Sequence, residues 1–526
     1  MILWGIWQGV GKPKMCMFLK PLVLDLHNLY QIGMTFLVDG RTVSLRAMLI
    51  LATMDLQARA YVLNMTQHNG LNGCLYCKEP GVVVASGKGN CRSYPYNESP
   101  ILRSEEEARN SATLARNEGK RIDGFFGENV FMYLPYFSMT KNVTIDYMHG
   151  VLLGVTKKFL DIWFDSKHSQ NAWYIGDKIK EVDAILKKIK PPYFIHRRPR
   201  ILSNTYHHWK ASELRNWLLF YALPCLNEYL PQVYLVHFSC LVEAVYILLS
   251  EGIDQSDLDR AEELLNAFCR NVAPLYMDNL MSLNVHNLTH LVTFVKSWGP
   301  LWGWSCFAFE SFNGEITKAI HGTGNVCREV FWFLHAQKRV QKNVQQMHSN
   351  GMNDTKVLGF LERLSAASHK QIGTEALHCN VIKIQDLRED LHDDIRDKLR
   401  EITNCDNRES FSVVAKIARN GFTMYSMAVN KVKKQNSYTL LLENNQDGAD
   451  MIEVERYIMH NQTHQVFAVG RLMKKEGPIL DRRVPHLQRV SYLRNNQDVV
   501  RVGKIVEPLI VVGKYAARLP NHHERD

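Results

Sequence analysis

The sequence predicts an α/β chain whose strand-and-helix opening gives way to a long, nearly all-helical block and then to a β-rich C-terminal region. Three observations predict it. Short apolar runs bounded by turn residues fill the first 60 or so positions. A 3.6-residue apolar period dominates from about 145 to 300, and runs rich in β-branched and aromatic residues alternate with turns over the last hundred residues. At 526 residues the chain exceeds what one compact core holds, so several domains or one domain with a large insertion are expected.

Residues 1–64 read as strand, helix, strand. Ile2 to Trp7 is an apolar run closed by a Gly/Lys/Pro turn, and Phe18 to Gly33 carries apolar residues at helical spacing. Phe36 to Met54 turns at Asp39-Gly40 and continues through Val43, Leu45, Met48, Leu49, Ile50 and Leu51 as a buried strand. Asp55 ends that run, where an open α/β sheet exposes its side chains. Residues 65–145 form a loop-rich segment around Cys74 and Cys77. Residues 146–300 form the helical block, with helices expected over Val151–Phe164, Ala172–Lys188, Ala211–Leu230, Val233–Ser250 and Asp257–Phe268. Residues 301–350 carry Glu310 and a basic helix, Cys327–Met347. Residues 351–409 form a helical linker with a charged helix over Asp386–Ile402, and 410–526 a β-rich domain with runs at 438–443, 466–472 and 499–512.

Composition narrows the function classes. A net charge of +10 favours a nucleic-acid partner, because Lys and Arg that neutralise phosphates release counterions. No stretch of about 20 uninterrupted apolar residues is present, so a membrane partner is not expected. Met1 to Trp7 lacks the basic lead of a signal peptide. Eleven cysteines, mostly scattered in apolar segments, suit a reducing intracellular compartment.

Cys74 and Cys77 sit in the Gly-rich loop Asn72-Gly73-Cys74-Leu75-Tyr76-Cys77, whose tight turn lets two thiolates face one ion; plain structural thiols are the other reading. His286 and His290, four residues apart, share one face of a helix as two ligands must, or are two partly buried helix histidines. Together the four make a complete tetrahedral set for structural zinc. Asp55 and Glu310 are carboxylates suited to magnesium ligation in two-metal phosphodiester chemistry, with Phe307, Phe309 and Phe312 as a low-dielectric wall around Glu310. The competing roles are a helix cap for Asp55 and an ion pair for Glu310. Asp146, in Asp146-Tyr147-Met148-His149-Gly150, either joins the metal site or caps a helix. Lys187, Lys188, Lys190, Arg197, Arg198 and Arg200, interleaved with Tyr193 and Phe194, and Lys338-Arg339 with Lys342, are candidate DNA-binding segments or solvated faces.

Several strings occur together in order: Lys12-Pro13-x-Met15-x-x-Phe18-Leu19-Lys20-Pro21, Asp55-Leu56-x-Ala58-Arg59-Ala60, His68-Asn69-Gly70-x-x-Gly73-Cys74-x-x-Cys77, Asp146-x-Met148-His149-Gly150, His208 through Arg215, and Gly299-Pro300-Leu301-Trp302 through Phe309-Glu310-Ser311-x-Asn313-Gly314. Over residues 1 to about 345 the chain resembles the transposases of CACTA (En/Spm) DNA transposons. Its spacing is also similar to the recombinase of antigen-receptor gene assembly.

The resemblance implies a ribonuclease H-like catalytic core interrupted by a large all-helical insertion, with an Asp, Asp, Glu triad that holds Mg²⁺ or Mn²⁺. It implies Asp55 as the second acid, Glu310 as the third, and Cys74, Cys77, His286 and His290 as zinc ligands. It further implies double-stranded DNA, both transposon ends and target, as partner, a homo-oligomer, and a nuclear location. The family's first Asp belongs to a strand preceding the part that matches residues 1 to 15, so the chain reads as N-terminally shortened with an incomplete core. Asp25, in a predicted helix, and Asp39, in a hairpin turn, do not replace it.

Overall fold

The computed structural model describes residues 2–322, 324–349, 378–380, 393–405, 411–414, 416–428, 435–443, 448–481 and 483–524. In chain order the first elements are α1 (Met15–Phe18), α2 (Lys20–Gln31), β1 (Met34–Val38), β2 (Arg41–Leu45), β3 (Ala52–Met54), α3 (Leu56–Val62), β4 (Val82–Ser86), β5 (Gly89–Ser93), α4 (Glu105–Glu118), α5 (Met139–Asn142) and β6 (Val143–Ile145). The helical block follows as α6 (Lys157–Phe164), α7 (Ile179–Lys188), α8 (Ala211–Asn216), α9 (Ala222–Leu226), α10 (Gln232–Leu248), α11 (Gln255–Leu275), α12 (Leu283–Asn287) and α13 (Leu291–Trp298). Next come α14 (Phe307–Lys318), α15 (Val326–Ser349), β7 (His378–Asn380) and α16 (Asp393–Thr403). The C-terminal strands are β8 (Phe411–Val414), β9 (Lys416–Arg419), β10 (Phe422–Tyr425), β11 (Thr439–Leu442), β12 (Met451–His460), β13 (Val466–Leu480), β14 (Arg483–Arg501), β15 (Ile505–Pro508), β16 (Ile510–Val512) and β17 (Tyr515–Ala517). No helix among the described residues is long and apolar enough to cross a membrane.

Two compact units contain the described residues of 1–78, 101–146 and 304–372, and those of 79–100, 147–303 and 373–526. In the first unit, the strand expected over Ile2–Trp7 does not form. Its indoles instead pack edge-on against Phe18, with Trp4 and Trp7 ring centroids 6.1 and 6.4 Å away. The turn at Asp39-Gly40 is as expected: φ of 48° and 75° closes a two-residue hairpin that pairs β1 with β2 from Val38↔Arg41 to Met34↔Leu45. The buried strand expected through Met54 is corrected. The turn folds its first half back into a hairpin whose ten residues are all exposed, and Ala52–Met54 pairs instead with a strand further along the chain. That partner is β6, buried throughout and parallel to β3, in the register Ala52↔Val143, Thr53↔Thr144, Met54↔Ile145. Asp55 and Asp146 are the next residues along these two paired strands.

In the second unit the helical block surrounds an aromatic core that includes Phe159, Trp163, Phe238 and Phe268. Several helix boundaries differ from expectation, and the helix expected over Asp257–Phe268 spans Gln255–Leu275. The helix of residues 172–188 begins only at Ile179, after a 3₁₀ turn that starts at Gly176. Val151–Phe164 opens as a π-helical stretch, Met148–Thr156, before α6. Ala211–Leu230 is interrupted by a π-turn, Trp217–Tyr221, ahead of Pro224, which has no N–H to give to the Phe220 carbonyl one turn earlier.

The C-terminal region is β-rich, as expected: an eight-stranded, nearly closed sheet in the order β15-β11-β12-β13-β14-β17-β16, with β8 also paired to β12. Gly470 sits where β13 crosses the bulge between Val454 and Arg456, and a Cβ there would lie 2.0 Å from the Glu453 carbonyl oxygen. Ile395 and Leu399 of α16 cover Ile458, Phe467 and Val469. The part of the expected 386–402 helix before residue 393 lies outside the described residues. The sheet and the helical block belong to one unit: Val484 N donates to Glu243 Oε2 at 2.8 Å, and His486 stacks on Tyr246 with centroids 3.7 Å apart.

Candidate metal centre and strand-end carboxylates

Cys74 and Cys77 are fully buried in a loop that Asn72 turns with a positive φ of 56°. Gly124 packs against that turn so closely that a Cβ would lie 2.2 Å from the Asn72 carbonyl oxygen. Two buried guanidiniums brace the loop. Arg103 Nη2 donates to the carbonyls of both Cys74 and Cys77 at 3.4 Å, and Arg59 donates to the Gly73 carbonyl and the Tyr76 hydroxyl, each at 3.3 Å. Tyr76 in turn donates to the Val143 carbonyl at 3.1 Å, tying the loop to β6. Burial pushes the Tyr76 hydroxyl up to about 12, so it remains a donor at neutral pH. Tyr76 N points at Cys74 Sγ at 3.4 Å, the kind of amide-to-sulfur bond that steadies a thiolate ligand.

His286 lies in the last turn of α12, and His290 closes the 3₁₀ turn Leu288–His290 that leads into α13. Both are buried, with Nε2 atoms 3.3 Å apart and rings crossing at 74°. The ligating atoms of Cys74, Cys77, His286 and His290 all lie within 4.8 Å of one another, and all four side chains are buried. The donor set fits a tetrahedral ion. With metal–nitrogen bonds of about 2.0–2.1 Å, two imidazoles on a tetrahedron stand roughly 3.3–3.4 Å apart, which matches the His286–His290 separation. The four residues are thus a buried Cys/His cluster that can hold a metal ion.

The carboxylates gather differently. Asp55 is the N-cap of α3, its Oδ1 accepting from Ala58 N at 2.6 Å. The buried Asp146 carboxylate accepts from Cys306 N at 2.8 Å, and the N-cap residue of the π-helical stretch that follows is Tyr147, not Asp146. Cys306 is the N-cap of α14, whose first turn carries Glu310, and its Sγ lies 3.7 Å from Thr53 Oγ1. The Cys306 thiol is raised to about 12, first by burial and then by the neighbouring Asp146, with Glu310 a smaller contributor. Among the described residues, Asp146, His149 and Cys306 form the other group of three potential ligands within 4.8 Å, and Asp55 and Glu310 belong to neither group. Phe309 is half exposed beside Glu310 and forms no closed wall around it.

Of the basic candidates, Lys187, Lys188, Lys190, Arg197 and Arg198 are exposed. Arg200 is also exposed, but it forks onto the buried Glu213 at 2.6 and 2.7 Å and donates to the His208 carbonyl at 2.8 Å, so its charge is paired within the fold. On α15, Lys338, Arg339 and Lys342 are exposed together with Arg328, Trp332 and His335. Helical spacing puts Arg328, Trp332, His335, Arg339 and Lys342 on one stripe. Sequence reasoning missed Arg59, Arg103 and Cys306. Arg59 lies within the Asp55-to-Ala60 string, where its spacing of four from Asp55 was the available signal, whereas nothing near Arg103 in the sequence marks it. No family model matches this chain, and no curated protein matches it.

Proposed function

We propose that this chain is a transposase-like protein of the Asp/Asp/Glu type that acts on DNA phosphodiester bonds, in cut-and-paste strand transfer within the nucleus. The observation that carries the reading is one of placement: Asp55 and Asp146 leave adjacent parallel strands in register, and the helix bearing Glu310 is bonded at its N-cap, Cys306, by the Asp146 carboxylate. Parallel strands that deliver acids from their C-terminal ends are how open α/β sheets build sites. In this reading β3 and β6 belong to a ribonuclease H-like core, and residues 146–300 are its helical insertion.

Zinc is the ion that two cysteines and two histidines at tetrahedral spacing suit best, and its role here is structural. Asp55 and Glu310 offer the hard oxygen donors that Mg²⁺ or Mn²⁺ takes. Such an ion, when bound, activates an attacking water or 3′ hydroxyl and stabilises the leaving oxygen. The chain's own contribution is to fix the acids. Asp55 is held by its cap on α3, and Glu310 by the first turn of α14. Exposed Lys187, Lys188, Arg197 and the α15 stripe carry charge suited to DNA phosphates.

The test is cation-dependent nicking or strand transfer on transposon-end duplexes, with Asp55→Asn and Glu310→Gln as controls. Activity lost in both variants supports the reading, whereas activity unchanged in both sinks it. A second reading is a catalytically inactive, transposase-derived DNA-binding or protein-interaction module. It is favoured by the absence of Asp55 and Glu310 from any three-ligand group among the described residues. Salt-dependent duplex binding that persists in Asp55→Ala and Glu310→Ala, with no cleavage by the unaltered chain, would select it.

A further inference from the structure

The start of α14 is held from two strands at once. Asp146, 3% exposed, directly follows β6 and accepts the Cys306 N–H at 2.8 Å. Cys306 is the N-cap residue of α14 but makes no cap with its own side chain, and its carbonyl accepts the first helical bond, from Glu310 N at 2.9 Å. A helix N-terminus presents partial positive charge, so a carboxylate at that end both satisfies an amide and complements the dipole. From the other strand, Thr53 of β3 meets Cys306 through a 3.7 Å contact between Oγ1 and Sγ, two residues before Asp55.

Glu310 is one helical turn beyond Cys306 and so faces the same side of α14. The Asp146 carboxylate raises the Cys306 thiol, and the Glu310 charge does so to a smaller extent. The thiol itself, buried and protonated, serves as an anchor.

We propose that Asp146 is a positioning residue: its carboxylate fixes the first turn of α14 to the end of β6, and through that turn sets where Glu310 stands relative to Asp55. The inference rests on the reading of Asp55 and Glu310 as the acidic pair of a phosphodiester site. Carboxylates that share an ion must be held to about half an ångström, and one turn of helix pinned at its N-cap is the device available here. Asp146 in this role acts through Glu310.

The experiment compares the full chain with Asp146→Asn, which keeps an acceptor oxygen for Cys306 N–H, and Asp146→Ala, which removes it. Amide hydrogen exchange over residues 306–310 reads the anchoring directly, and Mn²⁺ titration followed by electron paramagnetic resonance reads the acidic pair. Asp146→Ala should speed exchange of these amides by about tenfold and weaken Mn²⁺ binding by a similar factor, while Asp146→Asn keeps most of both. Exchange unchanged in Asp146→Ala overturns the proposal. So does Mn²⁺ binding lost as fully in Asp146→Asn as in Asp146→Ala while the exchange of Asp146→Asn stays slow, which makes Asp146 a ligand in its own right. Should Asp146→Ala fail to fold, Asp146→Ser, too short to reach Cys306 N, is subject to the same outcomes. A full chain that binds no Mn²⁺, yet whose exchange rises in Asp146→Ala, removes the functional reading and leaves the positioning role standing.

Discussion

The Nε2 atoms of His286 and His290 stand 3.3 Å apart, both buried, at the separation that two imidazoles keep on a shared tetrahedral ion. Purified chain should therefore carry one equivalent of zinc by elemental analysis. Cys77→Ala or His290→Ala should abolish that content and lower the urea midpoint, because the binding free energy of a structural ion is also folding free energy. Stoichiometric zinc in both variants would sink the assignment.

The braces around the cysteine loop make a second, separable prediction. Arg103 Nη2 bonds the carbonyls of both Cys74 and Cys77, so Arg103→Met strips two buried acceptors of a partner. The expected cost is about 1–3 kcal/mol of stability, with zinc affinity weakened by about 10–100-fold. Competition against a chromogenic chelator measures the affinity. An unchanged affinity would show that the loop holds its shape without Arg103.

Acid should act on the second unit through His486. Its ring stacks on Tyr246, bonds the Leu219 carbonyl at 3.0 Å, and is pushed by burial down to about 3. The folded value lies below the unfolded value of about 6.5, so the unfolded chain binds the extra proton. The contribution is complete above about pH 6.5 and is lost as pH falls toward 3, at up to about 1.4 kcal/mol per pH unit. His486→Gln, whose amide nitrogen overlays Nε2, keeps a donor for the Leu219 carbonyl and should flatten the fall in urea midpoint between pH 6.5 and 4.5. Identical slopes in both proteins would exclude His486 as a source of acid sensitivity.

How far the sequence revealed the site depends on whether its parts are local. The Cys74/Cys77 spacing, the His286/His290 spacing and the Asp39-Gly40 turn are short-range patterns, and each appears where expected. The exposure of β1 and β2 was hidden because a hairpin and a buried strand share apolar content; only the turn residues distinguish them. The π-turn before Pro224 and the late start of α7 follow from single breakers inside otherwise periodic stretches. The Asp146–Cys306 bond joins residues 160 apart, and no local pattern encodes a partnership at that range. Arg103 was invisible for the same reason.

DNA contact should divide the basic residues. Lys187, Lys188 and Arg197 are exposed, so replacing them with Ala should lower the slope of log affinity against log salt by up to about 0.9 per lost phosphate contact. Replacing Arg339 and Lys342 on α15 should do likewise. Arg200→Ala should leave the slope unchanged and instead cost about 1 kcal/mol of stability, since it leaves the mostly buried Glu213 with only the Lys210 amide as a partner among the described residues. A slope that falls with Arg200 alone would contradict this division.

Asp55 offers the cleanest separation of scaffold from chemistry, because its Oδ1 already has a structural duty as the acceptor of Ala58 N–H at 2.6 Å. Asn caps helices about as well as Asp, whereas Ala gives up about 1 kcal/mol. Asp55→Asn should therefore match the unaltered chain in thermal unfolding, and Asp55→Ala should unfold several degrees lower. If Asp55 also holds a divalent cation, both variants lose cation-dependent DNA cleavage despite their different stabilities, since the amide carries no charge for the ion. Cleavage that tracks stability, retained in Asp55→Asn and reduced only in Asp55→Ala, would confine Asp55 to its cap.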